Sequence, residues 1–194
     1  MGLRVGIVAA FQALPTTGSG QYLAHLVAAL PHLGRGHTYR LLAVEAAPGT
    51  VGCAPSWLPG RQARKLYLEQ VGAPWAGRAE HLDVLHYPYF AGPLLTSAPV
   101  VVTVHDVIPL LLPEYRGSAL VRLYTTLAAA ATRRARFVIC DSLSSLRDAG
   151  RLLGVPEERA RVIYLAPDPG LIPAAPEAVV AARRKYGLPE RFFF

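Results

Sequence analysis

The sequence predicts an α/β protein built on an open parallel sheet with helices on both faces. Residues 100–104, VVVTV, form an apolar β-branched run without alternation, the mark of a strand buried on both faces. Residues 137–140, FVIC, repeat the pattern. Strand and helix signals alternate along the chain at the spacing of successive βαβ units. Both apolar runs stop abruptly at polar groups, the first at Thr103-Val104-His105-Asp106 and the second at Cys140-Asp141-Ser142. Open α/β sheets bind ligands at the carboxyl ends of their strands, so this chain reads as a ligand-handling domain with His105 as its leading candidate.

Residues 3–9, LRVGIVA, open as the first strand. A polar loop with Pro15, Gly18 and Gly20 covers residues 12–20. Leu23, Leu26, Val27 and Leu30 then recur at i, i+3, i+4 and i+7, one face of a helix that Gly34 and Gly36 stop. Residues 39–44 are a second strand, and residues 46–60, rich in Pro and Gly, a loop. Residues 61–71 are a basic amphipathic helix with Leu66, Tyr67 and Val71 as its apolar side. A short third strand, 83–86, leads into Tyr87-Pro88-Tyr89-Phe90. The fourth strand is 100–104, followed by an Ala- and Leu-rich helix over 119–135 and the fifth strand, 137–140. Asp141 or Ser142 caps a helix running to Leu153, with Gly154 as its stop. Residues 161–164 are a sixth strand, and Pro176 opens a last helix that Gly187 closes. The run Arg191-Phe192-Phe193-Phe194 reads as a further strand. A bare apolar strand is a poor way to finish a domain, so it is expected to begin a following one, with an edge strand of the present sheet as the other reading.

With 194 residues, 52% of them hydrophobic, the chain suits one well-packed domain. The formal charge is +7, and of twenty basic residues only Lys65 and Lys185 are lysines. The arginines are scattered and no nucleic-acid-binding motif accompanies them, so nucleic acid is not an expected partner. Cys53 and Cys140 fit no metal spacing and no disulfide framework, which suggests a reducing, cytoplasmic setting. Residues 84–104 carry no Asp, Glu, Lys or Arg, but Pro88, Pro93 and Pro99 interrupt them, against a transmembrane helix.

A neutral imidazole at His105 can exchange hydrogen bonds with a sugar hydroxyl or stabilise developing charge; the plainer role is that of a satisfied core histidine. Gly18-Ser19-Gly20 precedes a helix and offers amides to a phosphate or hydroxyl, against the plain reading as a turn. It is no dinucleotide fingerprint, because Leu23 occupies the third glycine position. Tyr87, Tyr89 and Phe90 can stack on a sugar ring or simply pack a loop. Asp106, Asp141 and Ser142 serve as ligand contacts or as caps. Tyr164 and Asp168 follow the sixth strand toward the same rim. The sequence shows no nucleophile–base pair, metal cluster or phosphate-binding lysine loop, and no cofactor is expected.

The stretches RVGIVAAF, TGSGQYLAHLVAAL, DVLHYPYF, VVVTVHDVIPLLLPEYR and FVICDSLSSLRDAGRLLGVPEERARVIYLAPD run in order along nearly the whole chain. Together they resemble the N-terminal domain of the retaining glycosyltransferase group 1 family, whose GT-B fold pairs two Rossmann-like domains. The resemblance implies transfer of a sugar from a nucleotide sugar, itself a substrate, to a glycan or lipid-linked acceptor with retained anomeric configuration. It implies that residues 1–188 shape the acceptor side and that 189–194 begin a second, donor-binding domain that the family's members carry. That second domain holds the basic pair and the E-x7-E motif, so the isolated chain is expected to be inactive. Gly18 and Gly20 would lie near donor phosphates or acceptor, and His105 would hydrogen-bond the transferred sugar. Where the family has two adjacent glycines before the loop serine, this chain has Thr17-Gly18-Ser19-Gly20. The helix 61–71 would suit peripheral contact with an anionic membrane, or simply pack on the sheet. A stand-alone glycan-binding or partner-pairing module is the alternative function.

Overall fold

The computed structural model describes residues 2–33, 36–168 and 170–192. The chain divides into two compact units, Met1–Tyr164 and Leu165–Phe194.

The first unit holds a seven-stranded sheet: β1 (Arg4–Val8), β2 (Thr38–Ala43), β3 (Thr50–Gly52), β4 (Val84–Tyr87), β5 (Val100–Val104), β6 (Phe137–Cys140) and β7 (Ala160–Val162). Its order is β3-β2-β1-β4-β5-β6-β7, and every neighbouring pair is parallel. The chain builds outward from β1 to β3, then returns to add β4 on the other side of β1. That reversal is the switch point at which the carboxyl ends of parallel strands open a crevice. Both faces are covered: adjacent Ile7 and Val8 point to opposite faces of β1 and neither is exposed. Val8 joins the larger core cluster with Leu42, Leu85, Val102, Val104 and Val138, while Ile7 joins Ala9, Leu23 and Ala43.

The helices are α1 (Gly18–Ala29), α2 (Arg61–Tyr67), α3 (Ala73–Ala79), α4 (Ile108–Leu111), α5 (Ala119–Arg134) and α6 (Leu143–Leu153). Four expectations change here. The loop expected over residues 46–60 contains β3, an edge strand of three residues too short to show a pattern of its own. The helix expected to stop at Val71 continues through a π turn, Leu68–Gly72, into α3. Pro74 gives a reason: its ring clashes with the carbonyl four residues back, and a widened turn relieves that. The buried side of this segment is also not the expected one. Leu68, Glu69, Gly72, Ala73 and Ala76 are buried, whereas Leu66 and Val71 are 37% and 47% exposed. The sixth expected strand is short, and Ile163 and Tyr164 beyond it are exposed.

In the second unit α7 (Pro176–Tyr186) begins at its proline and ends at Gly187, whose φ of 62° suits a residue without Cβ. Asp168 Oδ1 accepts a 2.7 Å bond from the Gly170 amide. Arg191 and Phe192 form no strand; Gly34, Phe193 and Phe194 lie outside the described residues. No helix among the described residues is long and apolar enough to cross a membrane.

Candidate functional site

β5 and β6 run in register, Val104 beside Cys140, so the next residue of each strand emerges side by side. Those residues are His105 and Asp141. Asp141 Oδ2 lies 3.1 Å from His105 Nδ1, and the Pro88 carbonyl oxygen 3.3 Å from Nε2. Both partners are acceptors and a neutral ring carries one N–H, so one nitrogen donates at a time and the other is left to a ligand. Tyr22 of α1 meets the ring edge-on, with centroids 4.8 Å apart. Ser145 Oγ donates to the His105 carbonyl at 2.5 Å, tying α6 to the same corner. The His105 side chain keeps 22% of its surface exposed and Asp141 17%, enough for a ligand to reach.

Beneath this corner lies a polar chain within the sheet. His86 Nε2 sits 2.9 Å from Thr103 Oγ1, which sits 3.4 Å from the Tyr22 hydroxyl. Burial, helped by the nearby His105, lowers the His86 pKa to about 4, so at neutral pH it is an uncharged hydrogen-bonding group.

The Gly18-Ser19-Gly20 segment is the first turn of α1 and not a loop before it. Thr17 is the N-cap: its Oγ1 accepts from the Gly20 amide at 3.1 Å and donates to the Leu14 carbonyl at 2.8 Å. A Cβ on Gly20 would stand 2.0 Å from the Leu14 oxygen, whereas one on Gly18 would meet nothing. Close packing therefore accounts for Gly20. Gly18 and Ser19 remain on the carboxyl edge.

Tyr87 and Tyr89 correct their expectation: they are 0% and 4% exposed and belong to the core. The Tyr87 hydroxyl donates to the Glu69 carbonyl at 2.8 Å. Lys65, on the basic helix expected over 61–71, turns inward. Its Nζ lies 2.7 Å from Glu69 Oε1, donates to the Tyr124 hydroxyl at 2.5 Å, and faces the rings of Phe11, Tyr89 and Tyr124. The Tyr124 hydroxyl donates in turn to Glu69 at 3.0 Å. This box pins the helix over 61–79 to the loops after β1 and β4.

Asp106 closes a local turn before α4, and Ser142 is the N-cap of α6. Asp106 Oδ1 accepts from the Ile108 amide at 3.0 Å, and Ser142 Oγ from the Ser145 amide at 3.0 Å. Burial pushes the thiols of Cys53 and Cys140 up to about 11, so neither is a thiolate near neutrality. Among the described residues no three His, Cys, Asp or Glu side chains gather as a metal site.

Beside the switch point a cavity of about 720 Å³ opens between the carboxyl ends of β1 and β2. Ala9 and Ala43 lie at the strand ends, and Trp57, Leu58, Glu45 and Arg64 are among the other lining residues. A recess of about 760 Å³ at the opposite edge, beside Trp75 and Asp83, lies where strands begin, away from the polar chemistry.

Residues 16–170 match the sequence model of Glycosyltransferase Family 4. The chain belongs to that family. Solved structures agree on the fold of this family 4 chain. A glycosyltransferase from Rickettsia africae ESF-5 superposes with a TM-score of 0.53 at 16% identity, covering 97% of this chain and 50% of that one. Anabaena HepE in complex with UDP-glucose gives 0.55 at 19% identity, and its complex with UDP 0.57 at 20%; these cover 95% and 96% of this chain. The family 4 chain thus spans about half the length of these structures, and its sheet is one Rossmann-like half of a GT-B architecture. No curated protein matches it in sequence at significance.

Sequence reasoning singled out His105 but missed its partners. Nothing local marks Tyr22, and Asp141 was read only as a cap or a ligand contact. The Lys65–Glu69 pair had a signal, opposite charges at i and i+4 on a helix, whose burial the pattern could not show.

Proposed function

We propose that this chain is the acceptor-side half of an enzyme that moves a sugar from a nucleotide sugar to an acceptor with retained configuration. The observation that carries this is His105, held at the carboxyl edge by Asp141 and Pro88 and still partly open. A neutral imidazole that donates its one N–H from Nδ1 to Asp141 keeps Nε2 to accept from a sugar hydroxyl, and a contact that tightens as charge develops speeds the reaction. The match to family 4 supports transfer chemistry, and HepE crystallised with UDP-glucose supports a nucleotide sugar as donor class. On this reading a second Rossmann-like domain, beginning near residue 189, holds the donor, and the 194-residue chain alone is inactive; the chain's span of about half of these structures supports it.

The test uses the protein extended through that second domain, offered UDP-glucose and other nucleotide sugars, with the product linkage read by NMR. Retained anomeric configuration is expected. An inverted product overturns the retaining mechanism, and transfer by the 194-residue chain alone overturns its inactivity.

A further inference from the structure

The cavity between β1 and β2 has the chemistry of a saccharide site. We infer that it holds a neutral sugar ring of the acceptor, stacked on Trp57 and hydrogen-bonded by the Glu45–Arg64 pair. The inference rests on the transferase reading above and names the acceptor class for the same edge of the sheet.

Its size of about 720 Å³ falls within the span of small-molecule sites, roughly 300–1,000 Å³. The buried alanines at the ends of β1 and β2, Ala9 and Ala43, leave room that larger side chains would fill. Trp57 is 76% exposed on the wall of this cavity, an indole surface that no core packing uses. Sugar rings carry an apolar C–H face that suits such a surface. The same lining carries a charged pair. Arg64 Nη1 donates to Glu45 Oε1 at 2.5 Å, and Arg64 Nε is buried with no partner among the described residues. A carboxylate only accepts and a guanidinium only donates, whereas a hydroxyl does both. A vicinal diol therefore fits this pair: one hydroxyl donates to Glu45 and its neighbour accepts from Arg64. The same carboxylate disfavours a phosphate, and Arg64 is already neutralised by it, so a polyol suits the site better than an anion. Arg61, at the rim, is the remaining charge on the lining.

The two tryptophans, Trp57 and Trp75, make the test direct. In W75F the emission of Trp57 alone reports on the cavity, because Trp75 lies at the opposite edge. The chain is titrated with a broad panel of neutral mono- and oligosaccharides, and separately with UDP. A saccharide is expected to quench or blue-shift Trp57, with its binding, measured by isothermal titration calorimetry, at least tenfold weaker in W57A and severalfold weaker in E45Q, both checked for native circular dichroism. Two results overturn the inference: no saccharide on the panel perturbs Trp57, or UDP does so in place of sugars. In the extended enzyme W57A should raise the acceptor KM with little change in donor KM. Undiminished transfer with unchanged acceptor KM removes the cavity assignment and leaves the transferase reading standing.

Discussion

Asp141 Oδ2 lies 3.1 Å from His105 Nδ1, although 36 residues separate the two in sequence. The contact exists because β5 and β6 are in register and each ends one residue earlier. It gives the imidazole a fixed orientation at the edge of the sheet. In the extended enzyme, H105A is expected to lower kcat by about 10–100-fold, and D141N by about tenfold, equivalent to about 1–3 kcal/mol of transition-state stabilisation. Melting temperatures should fall by only a few degrees. Unchanged turnover with a large loss of melting temperature would make His105 a structural histidine.

Gly18 and Gly20 should separate cleanly. G20A forces a Cβ onto the Leu14 carbonyl at the start of α1 and is expected to cost more than about 2 kcal/mol. G18A meets open space and should be neutral or slightly stabilising. Urea denaturation of the two variants checks this, and equal effects would contradict the packing account.

The Lys65–Glu69 pair is inside the protein, with the Glu69 side chain 0% exposed. Removing one partner strands the other charge. E69A is expected to lose about 3–5 kcal/mol. K65M/E69M should recover most of that loss, because the aromatic box accepts apolar chains of similar volume. A double variant as unstable as E69A would show that the pair itself, and not relief of a stranded charge, sets stability.

His86 makes the fold acid-sensitive. Its pKa falls from 6.5 in the unfolded chain to about 4 in the fold, so the unfolded state binds the proton first. Stability is then full above about pH 6.5 and declines as the pH drops toward 4, by about 3 kcal/mol across that interval. H86F should flatten the decline between pH 6.5 and 4.5 when melting temperature is followed against pH. An unchanged slope would place the acid sensitivity elsewhere.

Ser142 closes the N-terminus of α6. S142A is expected to cost about 1 kcal/mol, a fall in melting temperature of about 2–4 °C. In the extended enzyme it should leave donor and acceptor KM unchanged. A large rise in either would return Ser142 to the ligand contacts.

Much of the fold was legible because its determinants are local. The β-branched runs at 100–104 and 137–140, the serine before α6 and the glycines after α6 and α7 each act within a turn or a strand. They mark elements whatever lies nearby. The sequence by itself determined that these elements alternate, that the sheet is parallel, and that His105 stands at the carboxyl edge of the sheet. Only the tertiary structure decided what stands beside it. Strand register set Asp141 against His105, and the order of β1 and β4 buried Tyr87 and Tyr89 in place of a cleft wall. A π turn swung Lys65 and Glu69 inward, and the approach of Leu14 made Gly20 a packing residue. Each of these depends on contacts between residues distant in the chain, or on a helix rotation of a fraction of a turn. Periodicity along the sequence carries no term for either.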